Sequence, residues 1–164
     1  MQAERRAIMS LTITSPAFSQ DGSIPAVYTC DGEDISPELN WSDIPDNTES
    51  LVLIVDDPDA PDPAAPQMTW VHWVLYNIPA TAAGLAGDVN ESELPVGTLH
   101  GLNDWRSIDY GGPCPPIGRH RYFHKLYALD ILLPDLGQAG KPELEQAMEE
   151  HIIGQAVLMG TYQH

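Results

Sequence analysis

Leu51-Val52-Leu53-Ile54-Val55-Asp56-Asp57-Pro58-Asp59-Ala60-Pro61 sets the reading of the whole chain. Five consecutive aliphatic residues suit a buried strand or a short buried helix, and periodicity alone does not separate the two. The β-branched side chains of Val52, Ile54 and Val55, and the proline that follows, decide for the strand. At its end, three carboxylates crowd between and beside two prolines. Proline fixes φ and removes a backbone donor, so Asp56, Asp57 and Asp59 are expected on a stiff turn. The Asp57–Pro58 bond is the candidate for a cis peptide there. From this segment alone, a plain acidic turn and a functional carboxylate cluster read alike.

Working outward, Thr69–Ile78 and Arg119–Leu129 are two further long runs rich in aromatic and branched residues. Leu11–Ile13, Ala26–Tyr28 and Leu39–Trp41 are shorter extended candidates, separated by turn dipeptides such as Asp21-Gly22 and Asp31-Gly32. The connections Pro58–Gln67, Ala80–Asn103 and Gly111–Gly118 are punctuated by many of the 15 prolines, which flank the strand candidates as sheet architecture demands. One segment is helical: Pro142 suits the first turn, Leu144, Ala147, Met148 and Ile152 recur on one face, and Gly154 suits the stop. Gln155–Tyr162 reads as a closing strand or a short helix. The chain is therefore mainly β with one late amphipathic helix, a single domain over residues 11–164. Residues 1–10 are expected as a frayed or disordered tail.

Charge narrows the partners. The 164 residues carry 7 Lys plus Arg against 24 Asp plus Glu, a formal net charge of −17. So acidic a surface repels phosphate backbones and anionic bilayers, which argues against nucleic acid and against a lipid surface as partners. No apolar run approaches membrane-spanning length, so no membrane insertion is expected. Ile8–Ile13 follows Arg5 and Arg6, but Ser10 and Thr12 interrupt it and no small-x-small cleavage site follows, so the cytoplasm is the expected location. There the two cysteines, Cys30 and Cys114, are expected as reduced thiols, although a bridge between two loop cysteines is allowed. A homodimer through an exposed edge strand is also allowed.

Four of the seven basic residues, Arg106, Arg119, Arg121 and Lys125, share a window with His120 and His124. Singly, each is expected to satisfy a local carboxylate; as a group they are a candidate anion site. Strand alternation puts His120, Tyr122 and His124 on one face and Arg119, Arg121, Phe123 and Lys125 on the other. His120 is thus expected to point into a pocket and Arg121 to pair with a carboxylate of the Asp56–Asp59 turn. His72, inside Trp70-Val71-His72-Trp73, reads either as a hydrogen-bonded core histidine or as a ligand group. Tyr110-Gly111-Gly112-Pro113-Cys114-Pro115-Pro116-Ile117-Gly118 is a stiff loop whose glycine N–H groups suit an anion cradle.

Taken together, Asp57-Pro58-Asp59-Ala60-Pro61, His72-Trp73-Val74 with Asn77-Ile78-Pro79, and Gly112-Pro113 through His120-Arg121-Tyr122 resemble the signature blocks of the phosphatidylethanolamine-binding protein family. Tyr28-Thr29-Cys30-Asp31-Gly32, Ile35-Ser36-Pro37 and Trp41 resemble its bacterial and archaeal, Raf kinase inhibitor-like branch. The blocks occur in family order from Leu11 to Tyr162. The resemblance implies a large central antiparallel sheet packed on a smaller one, and a small pocket for phosphate-like or carboxylate anions. By position it assigns Asp57, His72, His120, Gly112, Pro113 and Tyr122 to ligand binding, with Asp59, Arg121 and Trp70 as structural support. Cys114-Pro115-Pro116 departs from the glycine-rich loop of animal members. The implied function is a non-catalytic, regulatory binding protein for a small anionic ligand, without cofactor or metal. A protein-inhibitor module is the alternative, with an unknown protein partner. A hydrolase using Asp57, His72 and His120 ranks last, because neither an HExxH helix nor a GxSxG elbow accompanies them.

Overall fold

A computed structural model describes residues 10–164. The expected tail lies outside the described residues except for Ser10. The strands are β1 (Thr12–Thr14), β2 (Leu39–Ser42), β3 (Ser50–Ala60), β4 (Met68–Pro79), β5 (Gly84–Leu85), β6 (Leu99–His100), β7 (Arg119–Leu129) and β8 (Ile152–Gln163). One helix, α1 (Lys141–Met148), precedes β8. A five-stranded sheet of order β6-β4-β3-β7-β8 faces a three-stranded sheet of order β1-β2-β5, and every pairing within them is antiparallel. The mainly β expectation, with a large and a small sheet, holds.

Strand β3 is central, and its unbroken apolar run has a physical reason: both faces of the large sheet are covered. Leu51, Leu53 and Val55 enter the core against the small sheet, while Val52 and Ile54 enter a second core with Leu144 and Met148 of α1. Each fully buried aliphatic side chain contributes roughly 1.5–3 kcal/mol relative to exposure. Two covered faces therefore remove the polar alternation that a half-exposed antiparallel strand would show.

Several local expectations are corrected. The carboxylates do not sit on a turn, because β3 continues through Ala60; a register shift between Asp57 and Ala60 accommodates Pro58. The cis peptide is Ala60–Pro61, not Asp57–Pro58. Ala26–Tyr28 is a 3-10 turn rather than a strand, closed by the Thr29 N–H and hydroxyl, both donating to the Ala26 carbonyl at 3.0 and 2.8 Å. The helix ends at Met148, because Glu150 takes a left-handed φ of 67° and turns the chain into β8. Ile152 and Gly154 are thus strand residues, and Gln155–Tyr162 is a strand, not a helix. Cys30 and Cys114 are bridged across 84 residues of sequence, in place of the expected reduced thiols.

Candidate functional site

A bulge in β4 and the regular alternation of β7 build the site. Val55 pairs with Trp73 and Asp56 with Val71, so His72 is the extra residue of a bulge in β4. Strict alternation would send His72 to the face of Val74, under the helix. The bulge instead re-aims it toward Tyr122, whose ring centroid lies 5.3 Å away at 84° to the imidazole. Undisturbed alternation on β7 places His120, Tyr122 and His124 inward, as expected, with Arg121 and Lys125 on the other face.

Asp57 and His120 form the floor. The Nδ1 of His120 lies 2.6 Å from Asp57 Oδ2, and His120 Nε2 lies 2.8 Å from the Ile117 carbonyl and 3.1 Å from that of Pro61. Carbonyls only accept, so Nε2 is the donor in those two contacts. Asp57 Oδ1 accepts the Asp59 N–H at 2.7 Å. Both side chains are buried. Asp57 thus fixes the orientation of the His120 ring. His120 faces the pocket, but both its nitrogens are already engaged, which corrects its assignment as a donor to the ligand: it positions the floor instead.

His72 keeps that donor role open. Its Nδ1 donates to the Gly111 carbonyl at 2.7 Å, and its Nε2 has no protein partner among the described residues. Burial holds its pKa below the usual imidazole range, ahead of the opposing influence of the Gly111 carbonyl and Asp57. His72 is therefore neutral at pH 7, with a lone pair on Nε2. Tyr122 completes the polar set; burial, then the Asp57 and Asp59 carboxylates, push its phenol up and keep it a neutral donor. His124, on the same strand, stays out of the pocket. It is enclosed against Phe18, and desolvation lowers its pKa to about 4.

Around these groups lies a cavity of about 430 Å³ walled by Trp70, Trp105, Met68, Pro61, Pro115 and Pro116. The Trp70 and Trp105 rings meet edge-on at 5.5 Å, and Trp105 also meets His72 at 5.0 Å. Trp105 was not read from the sequence; its only signal was an aromatic in a loop otherwise rich in turn residues. Among the described residues, no lysine or arginine lines the cavity. The expected cationic cluster is dispersed: Arg121 forks onto Asp59 at 2.8 and 3.0 Å, Lys125 reaches Asp56 at 3.0 Å, and Arg119 bonds Ser23 and Thr161. The Arg121–Asp59 pair is the expected structural support, and Arg121 draws the Asp59 carboxyl below its usual range.

The N–H groups of Gly111 and Gly112 do not form the expected cradle. Gly111 N–H donates to the His72 carbonyl, and Gly112 N–H donates to Asp34 Oδ1 at 2.8 Å. A side chain at Gly112 would collide with the Tyr28 carbonyl and the Asp34 carboxylate, so glycine serves close packing there. Gly112 lines a neighbouring cleft behind Trp105, and Pro113 lines neither, so both leave the ligand set. A larger groove of about 520 Å³ between β1 and β8 is walled by aliphatic and hydroxyl side chains without a titratable group. Among the described residues, the cluster with metal-ligand spacing is Cys30, Asp31 and His164, not Asp57, His72 and His120.

A family model described as phosphatidylethanolamine-binding protein matches residues 14–163. A "UPF0098 protein" of Methanothermobacter thermautotrophicus is 46% identical over 153 residues, spanning 93% of this chain and 98% of its own. A crystal structure from Chlamydia trachomatis, solved as a homologue of phosphatidylethanolamine-binding protein, superposes with a TM-score of 0.86 at 42% identity, covering 94% of this chain and 98% of that one. Escherichia coli YbcL, described as a member of the mammalian family, gives 0.85 at 29% identity, covering 95% and 99%. The matched span, the sequence identity and the shared fold agree: this chain belongs to the phosphatidylethanolamine-binding protein family, in its bacterial and archaeal branch.

Proposed function

We propose that the cavity binds, without catalysis, a small anion of phosphate or carboxylate type attached to an apolar body, and that His72 is the group that recognises the charge. One observation carries the reading: a cavity without lysine or arginine contains a buried histidine whose Nδ1 is anchored and whose Nε2 has no protein partner. The Asp57–His120 floor is internally satisfied, so it shapes the cavity without adding net charge. The Tyr122 hydroxyl supplies a second donor. Trp70, Trp105 and Met68, the last two exposed at the mouth, suit an apolar body joined to the anionic head.

Anion binding next to Nε2 favours the imidazolium, so binding is linked to proton uptake at His72. Burial opposes that uptake in the free protein, so affinity rises as pH falls. Calorimetric titration with phosphate, and with sulfate as an anion of fixed charge, tests this. Binding is expected to be about tenfold tighter near pH 5.5 than near pH 8, and to be lost in His72→Ala. Sulfate affinity that is flat across this range would sink the reading.

A further inference from the structure

Cys114 lines the pocket, yet its bridge to Cys30 lies outside the pocket's hydrogen-bonding groups. Both half-cystines are exposed to solvent. Exposed disulfides are the ones that thiols reach and exchange. Apart from the buried Pro115 side chain, the wall segment Cys114–Ile117 has few contacts of its own to hold it. Pro115 and Pro116 have no N–H, and among the described residues the N–H groups of Cys114 and Ile117 find no acceptor. Flanking contacts fix only the ends: the Pro113 carbonyl accepts the Cys30 N–H at 3.1 Å, and the Ile117 carbonyl caps His120. The disulfide is the covalent tether at its Cys114 end.

The two sulfurs differ in their surroundings. Cys30 Sγ, an Asp31 carboxylate oxygen and a His164 ring nitrogen lie within 4.8 Å of one another, and His164 Nδ1 contacts the Asp31 carboxylate at 2.8 Å. Asp31 repels an attacking thiolate from Cys30, whereas Cys114 has prolines on either side.

We propose that Cys30–Cys114 is an exchange-competent disulfide attacked at Cys114, and that its reduction by a dithiol releases the Cys114–Ile117 wall of the pocket. One thiolate of the dithiol bonds to Cys114 Sγ as the Cys30–Cys114 bond breaks. The electron pair leaves on Cys30 Sγ, which is exposed and takes a proton from solvent. The second thiol then loses its proton and attacks the dithiol's own bonded sulfur, displacing Cys114 as a thiolate that is protonated from solvent. The protein gains two electrons and two protons, and the dithiol becomes its disulfide. The released segment takes with it Pro115, Pro116 and the carbonyl that caps His120. That this weakens anion binding rests on the ligand reading above; the release itself does not.

The test uses the full chain, isotope-labelled, before and after dithiothreitol, with the Cys30→Ser/Cys114→Ser double variant as a second route to the unbridged state. Backbone order parameters at Cys114 and Ile117 are expected to fall from about 0.85 to below about 0.6 on reduction. Phosphate affinity is expected to drop about fivefold, which is about 1 kcal/mol. Brief reaction with glutathione, followed by alkylation and peptide mapping, is expected to place the mixed disulfide on Cys114. The proposal is overturned if the bridge is reduced only on global unfolding, or if Cys114 and Ile117 stay rigid in both unbridged forms. Glutathione found on Cys30 overturns the direction of attack. If the segment loosens while phosphate binds neither form, the release stands and the ligand reading falls.

Discussion

Asp56 and Asp57 are neighbours on β3 and both are buried, yet they do opposite work. Asp56 faces the helix side, where Lys125 and Lys141 both reach its Oδ2, at 3.0 and 2.7 Å. Asp57 faces the cavity and holds His120 at 2.6 Å. Lysine stays charged through the physiological range, so the helix-side cluster is a fixed clamp that ties α1 and β7 to the central strand. The cavity side also holds His72, whose imidazole is where protonation can report on pH and ligand. A one-residue step along a strand separates a structural lock from a candidate site, because successive side chains point to opposite faces.

Breaking the clamp is expected to have the largest effect. Lys125→Met with Lys141→Met leaves the fully buried Asp56 carboxylate without a counter-charge, and its Oδ1 already has no hydrogen-bond partner. We expect a loss of about 3–5 kcal/mol, read from urea unfolding. A loss below about 1 kcal/mol would show that the helix side is not held by charge and would collapse the contrast.

Acid is expected to act on the cavity side instead. His124, on the inward face of β7, is buried and its pKa is lowered from 6.5 to about 4, chiefly by desolvation. The unfolded chain therefore binds a proton that the folded chain refuses between these values, so stability falls as pH drops through that window. The expected loss is about 3 kcal/mol between pH 6.5 and pH 4, with His72 adding in the same direction. His124→Leu is expected to flatten most of that slope in unfolding measured across the window. An unchanged slope would place the titrating group elsewhere.

The smallest effect is expected at the exposed end of the same strand. Arg121→Ala removes a forked pair with Asp59, but the arginine side chain is 51% exposed and the Asp59 carboxylate keeps the Arg121 backbone N–H at 2.9 Å. Solvent screening limits the cost to about 1 kcal/mol, read as a shift in the urea midpoint. A larger loss would make Asp59 a second lock and blur the distinction between the two faces.

The strands were legible where their pattern is local. Arg119–Leu129 was read to the residue, and the segregation of His120, Tyr122 and His124 from Arg121, Phe123 and Lys125 follows from period-two geometry alone. The Asp57–His120 pair was recognisable because its residues stand in motif blocks. Local chemistry misled where short-range hydrogen bonds compete with extension. Thr29 closes Ala26–Tyr28 into a turn, and Glu150 ends α1 before the apolar pattern does. Trp105 and the fate of the glycine N–H groups were not legible, since each depends on what packs beside the loop.

The sequence by itself determined the mainly β class, the central apolar strand, the inward and outward faces of β7 and the residues that would form a floor. These are fixed by alternation, branching and turn chemistry within a few residues. Tertiary structure alone decided that a bulge turns His72 into the cavity, that both nitrogens of His120 are spent on carbonyls and a carboxylate, and that every nearby lysine and arginine is drawn away. It also decided that Cys30 meets Cys114 across 84 residues. Each of those outcomes is set by register and contact between segments distant in sequence, where no local preference of the chain can reach.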